Sequence, residues 1–299
     1  MYQTDLHIHS QFSSDGEFSI AELIDKCIAR QMRTFAVADH NSVKGNAEAV
    51  SLAGQAGIGF IPGIEIDCCY EGINLHVLGY QIDWKSNDFA VLEEDIAGKV
   101  MDSFAGMISN LQHLGFVIDA DAVMERAGGK LPTGELIAEV MLSDEKYQSS
   151  LLVPYQQGGS RSDMPYINFY LDYFAQGKPA FVPIRYMEYR DAIEMIRDNG
   201  GIPVVAHPGL NLKGKEQFVE ELLDKGAEGL EVFNNYHDSL QIDYFAAEVL
   251  KRKCLMTCGS DFHGLTKPLI QIGEYKFDAR FEDYLNQSVS QILHSSMMV

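Results

Sequence analysis

At least six of the nine histidines in this 299-residue chain close apolar runs beside carboxylates, beginning with Asp5-Leu6-His7-Ile8-His9. A short strand alternates its side chains between two faces, so His7 and His9 point the same way and can reach one metal ion. The same arrangement returns in Ala38-Asp39-His40, Gly63-Ile64-Glu65, Asn74-Leu75-His76, Ala206-His207-Pro208 and Gly259-Ser260-Asp261-Phe262-His263. Each puts polar atoms where a buried strand opens into a loop. Six such coincidences in one chain point to a metal cluster.

Strand-like runs cover residues 2–8, 34–38, 59–66, 74–80, 202–206, 229–233 and 255–259. Helical patterns fill 20–30, with Ser19 as cap, and 47–56, 186–198, 216–224, 240–252 and 281–293. Runs such as Thr34-Phe35-Ala36-Val37-Ala38 and Ile202-Pro203-Val204-Val205-Ala206 are apolar on both faces, as parallel strands covered by helices are. About seven strand–helix repeats predict a closed α/β barrel, with the metal-type residues on the rim at the strands' C-terminal ends. The alternation breaks between residues 86 and 178, where helical patterns at 89–114, 119–126, 135–142 and 163–175 stand without strands. The expected division is a barrel over 1–85 and 179–299 with a helical lid subdomain, 86–178, above its mouth.

Composition sets the surroundings. No run approaches the roughly 20 apolar residues of a membrane span, and the first residues, Met1-Tyr2-Gln3-Thr4-Asp5, lack the basic and apolar regions of a signal peptide. Five cysteines, an odd number without a C-x-x-C, argue against a disulfide framework and for a reducing cytoplasm. A formal net charge of −20 leaves no broad basic face for long nucleic acid. A small phosphorylated substrate stays compatible, because bound divalent cations reverse the local sign.

Residue by residue, His7 and His9 form the strongest pair. Asp15 lies in the turn-type sequence Ser13-Ser14-Asp15-Gly16. His40 reads as a ligand, with Asp39 behind it as an outer partner or a further contact that orients an imidazole. Glu65 closes an apolar strand, where a carboxylate is costly to bury unless paired or metal-bound, so it reads as a bridging ligand. Asp67 reads as solvated. His237 reads as a pocket residue, a proton donor or a loop surface residue, and Glu231 as a hydrogen-bond partner of a ligand histidine. His113 and His294 lie in helical patterns away from strand ends.

Taken as a set, these motifs resemble the PHP (polymerase and histidinol phosphatase) superfamily. Their order, with a helical insert between His76 and His207, is most similar to its stand-alone branch. That branch includes a 3′,5′-nucleotide bisphosphate phosphatase and a 5′-to-3′ exoribonuclease acting on short RNA. The resemblance implies a distorted seven-stranded α/β barrel holding two or three divalent ions, manganese first, with iron and zinc as alternatives. It places His7, His9, Glu65 and Asp261 on one ion. Glu65, His76 and His207 fall on a second, and Asp15, His40 and His263 on a third. Asp15, His40, Glu65 and His237 are the catalytic candidates. The implied reaction is phosphomonoester hydrolysis, in which a water bridging two ions attacks phosphorus in line with the leaving oxygen. A nucleoside 3′,5′-bisphosphate is the first expectation for substrate. A phosphodiesterase acting on short oligonucleotides comes second and a metal-stabilised module without turnover third.

One departure concerns substrate binding. The bisphosphatase branch implies an Arg and a His at the start of an insert helix, and Thr133 and Glu135 stand there in Leu131-Pro132-Thr133-Gly134-Glu135-Leu136. Lys130, Thr133, Arg161, Lys178, Arg185 and His237 are therefore the candidates for holding substrate.

Overall fold

The computed structural model describes residues 3–295, so Met1 and Tyr2, where the signal-peptide reading and the first expected strand begin, lie outside the described residues. Eight strands form one sheet: β1 (Thr4–Ile8), β2 (Thr34–Val37), β3 (Gly59–Tyr70), β4 (Ile73–Tyr80), β5 (Met187–Glu188), β6 (Ile202–Val205), β7 (Gly229–Phe233) and β8 (Leu255–Cys258). Seven run in the order β1-β2-β3-β4-β6-β7-β8, while β5 adds a short parallel pairing to β3. The ring nearly closes just beyond β8. There the Asp261 amide donates to His7 O at 2.9 Å, and the His9 amide to Phe262 O at 2.9 Å. The expected barrel is present.

Its distortion lies in β4. A uniform strand–helix repeat would make every strand parallel, yet β4 runs antiparallel to both β3 and β6. Glu71 and Gly72 join β3 to β4 with φ of 48° and 75°, the left-handed two-residue turn that fits the twist of a hairpin. The hairpin extends β3 to Tyr70, beyond the expected end at residue 66. Its tip meets the insert, where Gln176 Nε2 donates to Gly72 O at 2.6 Å and Asn74 N donates to Gln176 Oε1 at 3.3 Å.

Helices cover the outside of the barrel, held by caps and apolar faces that the sequence spells out. Ser19 caps Ile20–Ala29 in a capping box: its hydroxyl accepts from Glu22 N at 3.3 Å, and Glu22 accepts from Ser19 N at 2.9 Å. That helix buries Leu23, Ile24 and Cys27, at spacings that lie on one face. The helix expected at 186–198 starts later, at Tyr189, because Met187 and Glu188 are taken up by β5. All five cysteines are free thiols.

Four insert helices, Asn87–His113, Ala120–Ala127, Gly134–Ser143 and Pro165–Tyr173, match the expected patterns closely. They share an apolar cluster of their own, with Phe104, Leu111, Phe116, Ile137, Phe169 and Phe174 buried together. Among the described residues no helix is long and apolar enough to cross a membrane.

Candidate metal centre

The rim of the barrel gathers the predicted side chains around Glu65, which is fully buried. Its Oε1 lies 3.0 Å from His76 Nδ1 and 3.0 Å from His207 Nε2. Its Oε2 lies 3.1 Å from His7 Nε2, 3.3 Å from His9 Nε2 and 3.4 Å from His40 Nδ1. Asp261 Oδ1 stands 3.5 Å from His7 Nε2 and 3.2 Å from His9 Nε2. On the other side, Asp15 Oδ2 faces His263 Nε2 at 3.0 Å and His40 Nε2 at 3.8 Å.

These residues fit metal ions better than they fit one another. The Nε2 atoms of His7, His9 and His263 and the Oε2 of Glu65 are buried without a hydrogen bond of normal geometry. Buried polar atoms left unsatisfied cost about 1–3 kcal/mol each, and four sit at one point here. Three sets bring their donor atoms close enough to share an ion: His7, Glu65, His207 and Asp261; His9, Asp15, His40 and His263; and His40, Asp67 and His76. The implied grouping is thereby shifted. His9 borders both the first and second sets, His207 joins His7, and His76 also meets Asp67.

Outer hydrogen bonds fix the rings. Glu231, buried in β7, lies 3.1 Å from His7 Nδ1 and accepts from His207 N at 2.8 Å, as the sequence reading anticipated for it. Gly259 makes room for this contact, since a Cβ there would fall 2.2 Å from His7 Cβ and 2.5 Å from Glu231 Oε1. Ser13 Oγ sits 3.2 Å from His9 Nδ1 and donates to Asp15 Oδ1 at 2.7 Å. His207 and Asp261 both take positive φ, 22° and 60°, a strained state for such residues that concentrates at functional sites.

Charge keeps the acids ionised. Burial alone would raise the Glu65 carboxyl, but His7, His40 and His76 hold it well below the usual range. Asp261 is likewise raised by burial and, on balance, pulled well down by Lys267, His263 and His7.

Several predicted residues do other work. Asp39 binds Ser10, accepting from its amide at 2.6 Å and its hydroxyl at 2.7 Å, so it anchors the loop after β1. His237 is fully buried: Nδ1 lies 2.9 Å from Val232 O and Nε2 accepts from Gly209 N at 3.1 Å. Burial lowers its pKa to about 4, and with both ring nitrogens committed it supports the loop after His207 without reaching the cavity. Arg161 is clamped to Asp172 within the insert, and Lys178 and Arg185 are exposed; all three lie off the cavity wall. Lys130 and Thr133 do line it. Lys130 Nζ donates to Gly16 O at 3.0 Å, and Thr133 caps its helix by accepting from Leu136 N at 3.3 Å.

The cavity, about 1000 Å³, lies between the rim and the insert. Two residues on it had no role assigned from the sequence. Lys267 is buried with its Nζ 2.6 Å from Asp261 Oδ2, an oxygen that also accepts from Tyr236 OH at 2.6 Å. Its only sequence signal is its place four residues past His263, in the same rim loop. Glu135 is buried at the start of Gly134–Ser143, and burial, reinforced by the Asp15 charge, pushes its carboxyl up to about 7.

Comparison with known proteins agrees with the geometry. The PHP domain model matches residues 5–237. The chain belongs to the PHP family. It is thus a metal-dependent phosphoesterase, a hydrolase of phosphoric esters. A 3′,5′-nucleoside bisphosphate phosphatase of Chromobacterium violaceum is 27% identical over 266 residues, 88% of each chain. A phosphoribosyl 1,2-cyclic phosphate 1,2-diphosphodiesterase of Eggerthella lenta is 25% identical, covering 87% of this PHP chain and 94% of its own. The 5′-3′ exoribonuclease Rnm of Escherichia coli is 26% identical over 90% of this chain and 87% of its own. Among solved structures, a C. violaceum amidohydrolase with bound sulfate and no metal shares the fold with a TM-score of 0.76 at 24% identity, over 96% of each chain.

Proposed function

We propose that this PHP protein removes phosphate from a small phosphorylated substrate, first of all a nucleotide phosphomonoester such as a nucleoside 3′,5′-bisphosphate. His7, His9, Asp15, His40, Glu65, His76, His207, Asp261 and His263 would hold two or three divalent ions, manganese foremost. The observation that carries this reading is Glu65, whose two oxygens meet five imidazoles, three of which, His40, His76 and His207, line the cavity. Bound ions would supply a nucleophile at neutral pH and offset the charge that develops on the phosphoryl oxygens.

The chain's own residues do the rest. Glu231 and Ser13 set the orientation of His7 and His9. Lys267 projects an ammonium beside Asp261, where a phosphate oxygen would come to lie, and Lys130 offers a second cation across the cavity. Residues 86–178 act as a lid that covers the rim, keeping bulk water away from the reacting ester. The C. violaceum bisphosphatase supports the bisphosphate reading.

The second reading, a 5′-to-3′ exonuclease or phosphodiesterase on short oligonucleotides, is favoured by a cavity at the upper end of the usual ligand-site range. The exoribonuclease relatives support it as well.

The deciding experiment strips the protein with chelator, restores manganese and supplies nucleoside 3′,5′-bisphosphates, sugar phosphates and short 5′-phosphorylated RNA. Inorganic phosphate from the bisphosphates is the expected product, whereas mononucleotides from the RNA would select the second reading. Activity that survives exhaustive chelation would overturn both.

A further inference from the structure

We infer that the cavity has an apolar compartment against the insert, which takes one uncharged planar ring of the substrate, a nucleobase, while the phosphate stays at the rim. The inference rests on the phosphoesterase reading above and names the part of the substrate that the insert selects. At about 1000 Å³ the cavity is far larger than a phosphate group needs, so most of its space serves the organic half of the ester.

Two segments build the compartment. On the helix Pro165–Tyr173, Ile167, Tyr170 and Leu171 stand at helical spacing and share a face that lines the cavity, while Phe169 turns into the insert's own core. Beyond the insert, Val182, Ile184 and Tyr186 line the same cavity and alternate with exposed Pro183 and Arg185. Ile167, Leu171 and Ile184 are half-buried and pack into none of the three apolar clusters among the described residues. Apolar side chains left over from the cores and gathered on one cavity wall mark a ligand surface.

Charge decides which ligand. Three lysines and no arginine line the cavity among the described residues. Lys130 is tied to Gly16 O and Lys267 to Asp261, so both stay at the rim, and Lys44 is bound to Glu93 at 2.9 Å. The insert gives the wall three acids, Glu93, Glu94 and Glu135, against the single cation Lys130. A phosphate in the compartment would therefore be desolvated without a counter-charge, whereas an uncharged ring loses nothing there.

Two phenols mark where the polar edge of the ring lies. Among the described residues neither Tyr170 OH nor Tyr186 OH has a hydrogen-bond partner. Burial, then the charges of Glu135, Asp67 and Asp15, raises the Tyr170 phenol, and burial, then Asp67, raises that of Tyr186. Both hydroxyls thus stay protonated at the border between the rim acids and the apolar wall. A neutral hydroxyl there donates to a ring nitrogen or a ring carbonyl.

Adenosine and ribose are titrated calorimetrically into the manganese-loaded protein and into three variants. Adenosine is expected to bind the native chain at least tenfold more tightly than ribose. Leu171→Asp places a charge in the compartment and Ile184→Trp fills it; each should weaken adenosine at least tenfold. Tyr170→Phe, which removes only a hydroxyl, should weaken it about two- to tenfold. Circular dichroism and thermal melting confirm that each variant is folded. On esters, the ratio of kcat/KM for an adenosine phosphate to that for ribose 5-phosphate should fall at least tenfold in Leu171→Asp. Equal affinity for adenosine and ribose, or adenosine binding that survives both Leu171→Asp and Ile184→Trp, would overturn the compartment. Nucleoside binding needs no turnover, so failure of every ester as substrate would sink the phosphoesterase reading alone. Hydrolysis that ignores the ring would sink the compartment alone.

Discussion

The Lys267 ammonium sits 2.6 Å from the Asp261 carboxylate, with the two residues only 7% and 2% exposed. Asp261 is also a partner of His7 and His9, so one oxygen of this acid faces the imidazoles and the other faces a buried cation. The pairing balances charge while the cavity is empty of substrate. It also leaves Lys267 protons to bind a phosphate oxygen.

Lys267→Met retains the stem and removes that charge. A hydrogen bond to a charged group contributes about 1.5–3 kcal/mol, or roughly 10- to 150-fold. We expect kcat/KM on the best phosphate ester to fall by that amount with manganese saturating. An unchanged kcat/KM would remove Lys267 from substrate binding.

Glu231 touches no cavity space, yet it holds both His7 and His207. Glu231→Gln should weaken metal affinity by about 10- to 100-fold, the usual cost of disturbing a ligand's outer partner. Activity titrated against free Mn²⁺ should shift its midpoint and recover at saturation. A fall in the plateau with no midpoint shift would refute this role.

Chelation should lower thermal stability as well as activity. Without ions, Glu65 and Asp261 remain buried, with Asp15 half-buried, among imidazoles of which His7, His9 and His263 make no hydrogen bond of normal geometry through Nε2. Ligand at a hundred times its Kd stabilises a fold by about 2.7 kcal/mol. Melting with chelator, then with excess manganese, should show a reversible rise of several degrees.

Glu135 should make stability fall as pH rises. Its folded pKa of about 7 exceeds the ordinary 4.5, so the folded chain holds a proton that the unfolded chain has released between those values. Stability from this group is complete below about pH 4.5 and lost by about pH 7, a change of at most about 3 kcal/mol. Urea unfolding of the native protein and of Glu135→Gln at pH 5 and pH 8, at matched metal, checks the sign. The variant should lose less stability at pH 8.

His237→Phe tests structure against chemistry. It leaves Gly209 N–H and Val232 C=O without partners, at about 1–3 kcal/mol each. The melting temperature should drop while the pH profile of kcat keeps its shape. A large loss of kcat at unchanged stability would restore a proton-transfer role.

The gathering of imidazoles and acids was legible because alternation along a strand is a local rule. His7 and His9 share a face whatever surrounds them, and a glutamate closing an apolar strand needs a cation or a hydrogen-bond partner beside it. The insert was legible for a similar reason, since its periodic apolar positions bury a core of their own. Asp67 was not, because its burial depends on Asn41 from the loop after β2 and on two imidazoles from other strands. Lys267 looked like any loop lysine until the chain past β8 folded back against β1. The antiparallel course of β4 had a signal in Glu71-Gly72, a hairpin dipeptide between two apolar runs, but an apolar run by itself carries no direction. His237 misled because a histidine one turn past a strand end resembles a rim residue, and only its two backbone partners reveal otherwise.

Gln176 gives the hairpin tip a consequence for how such proteins diversify. By grasping Gly72 and Asn74, the roof is stapled to the ribbon that carries Glu65, Asp67 and His76. Transplanting a relative's roof onto this barrel, to borrow its choice of substrate, would therefore disturb the floor of clustered acids and imidazoles unless the staple travelled with it.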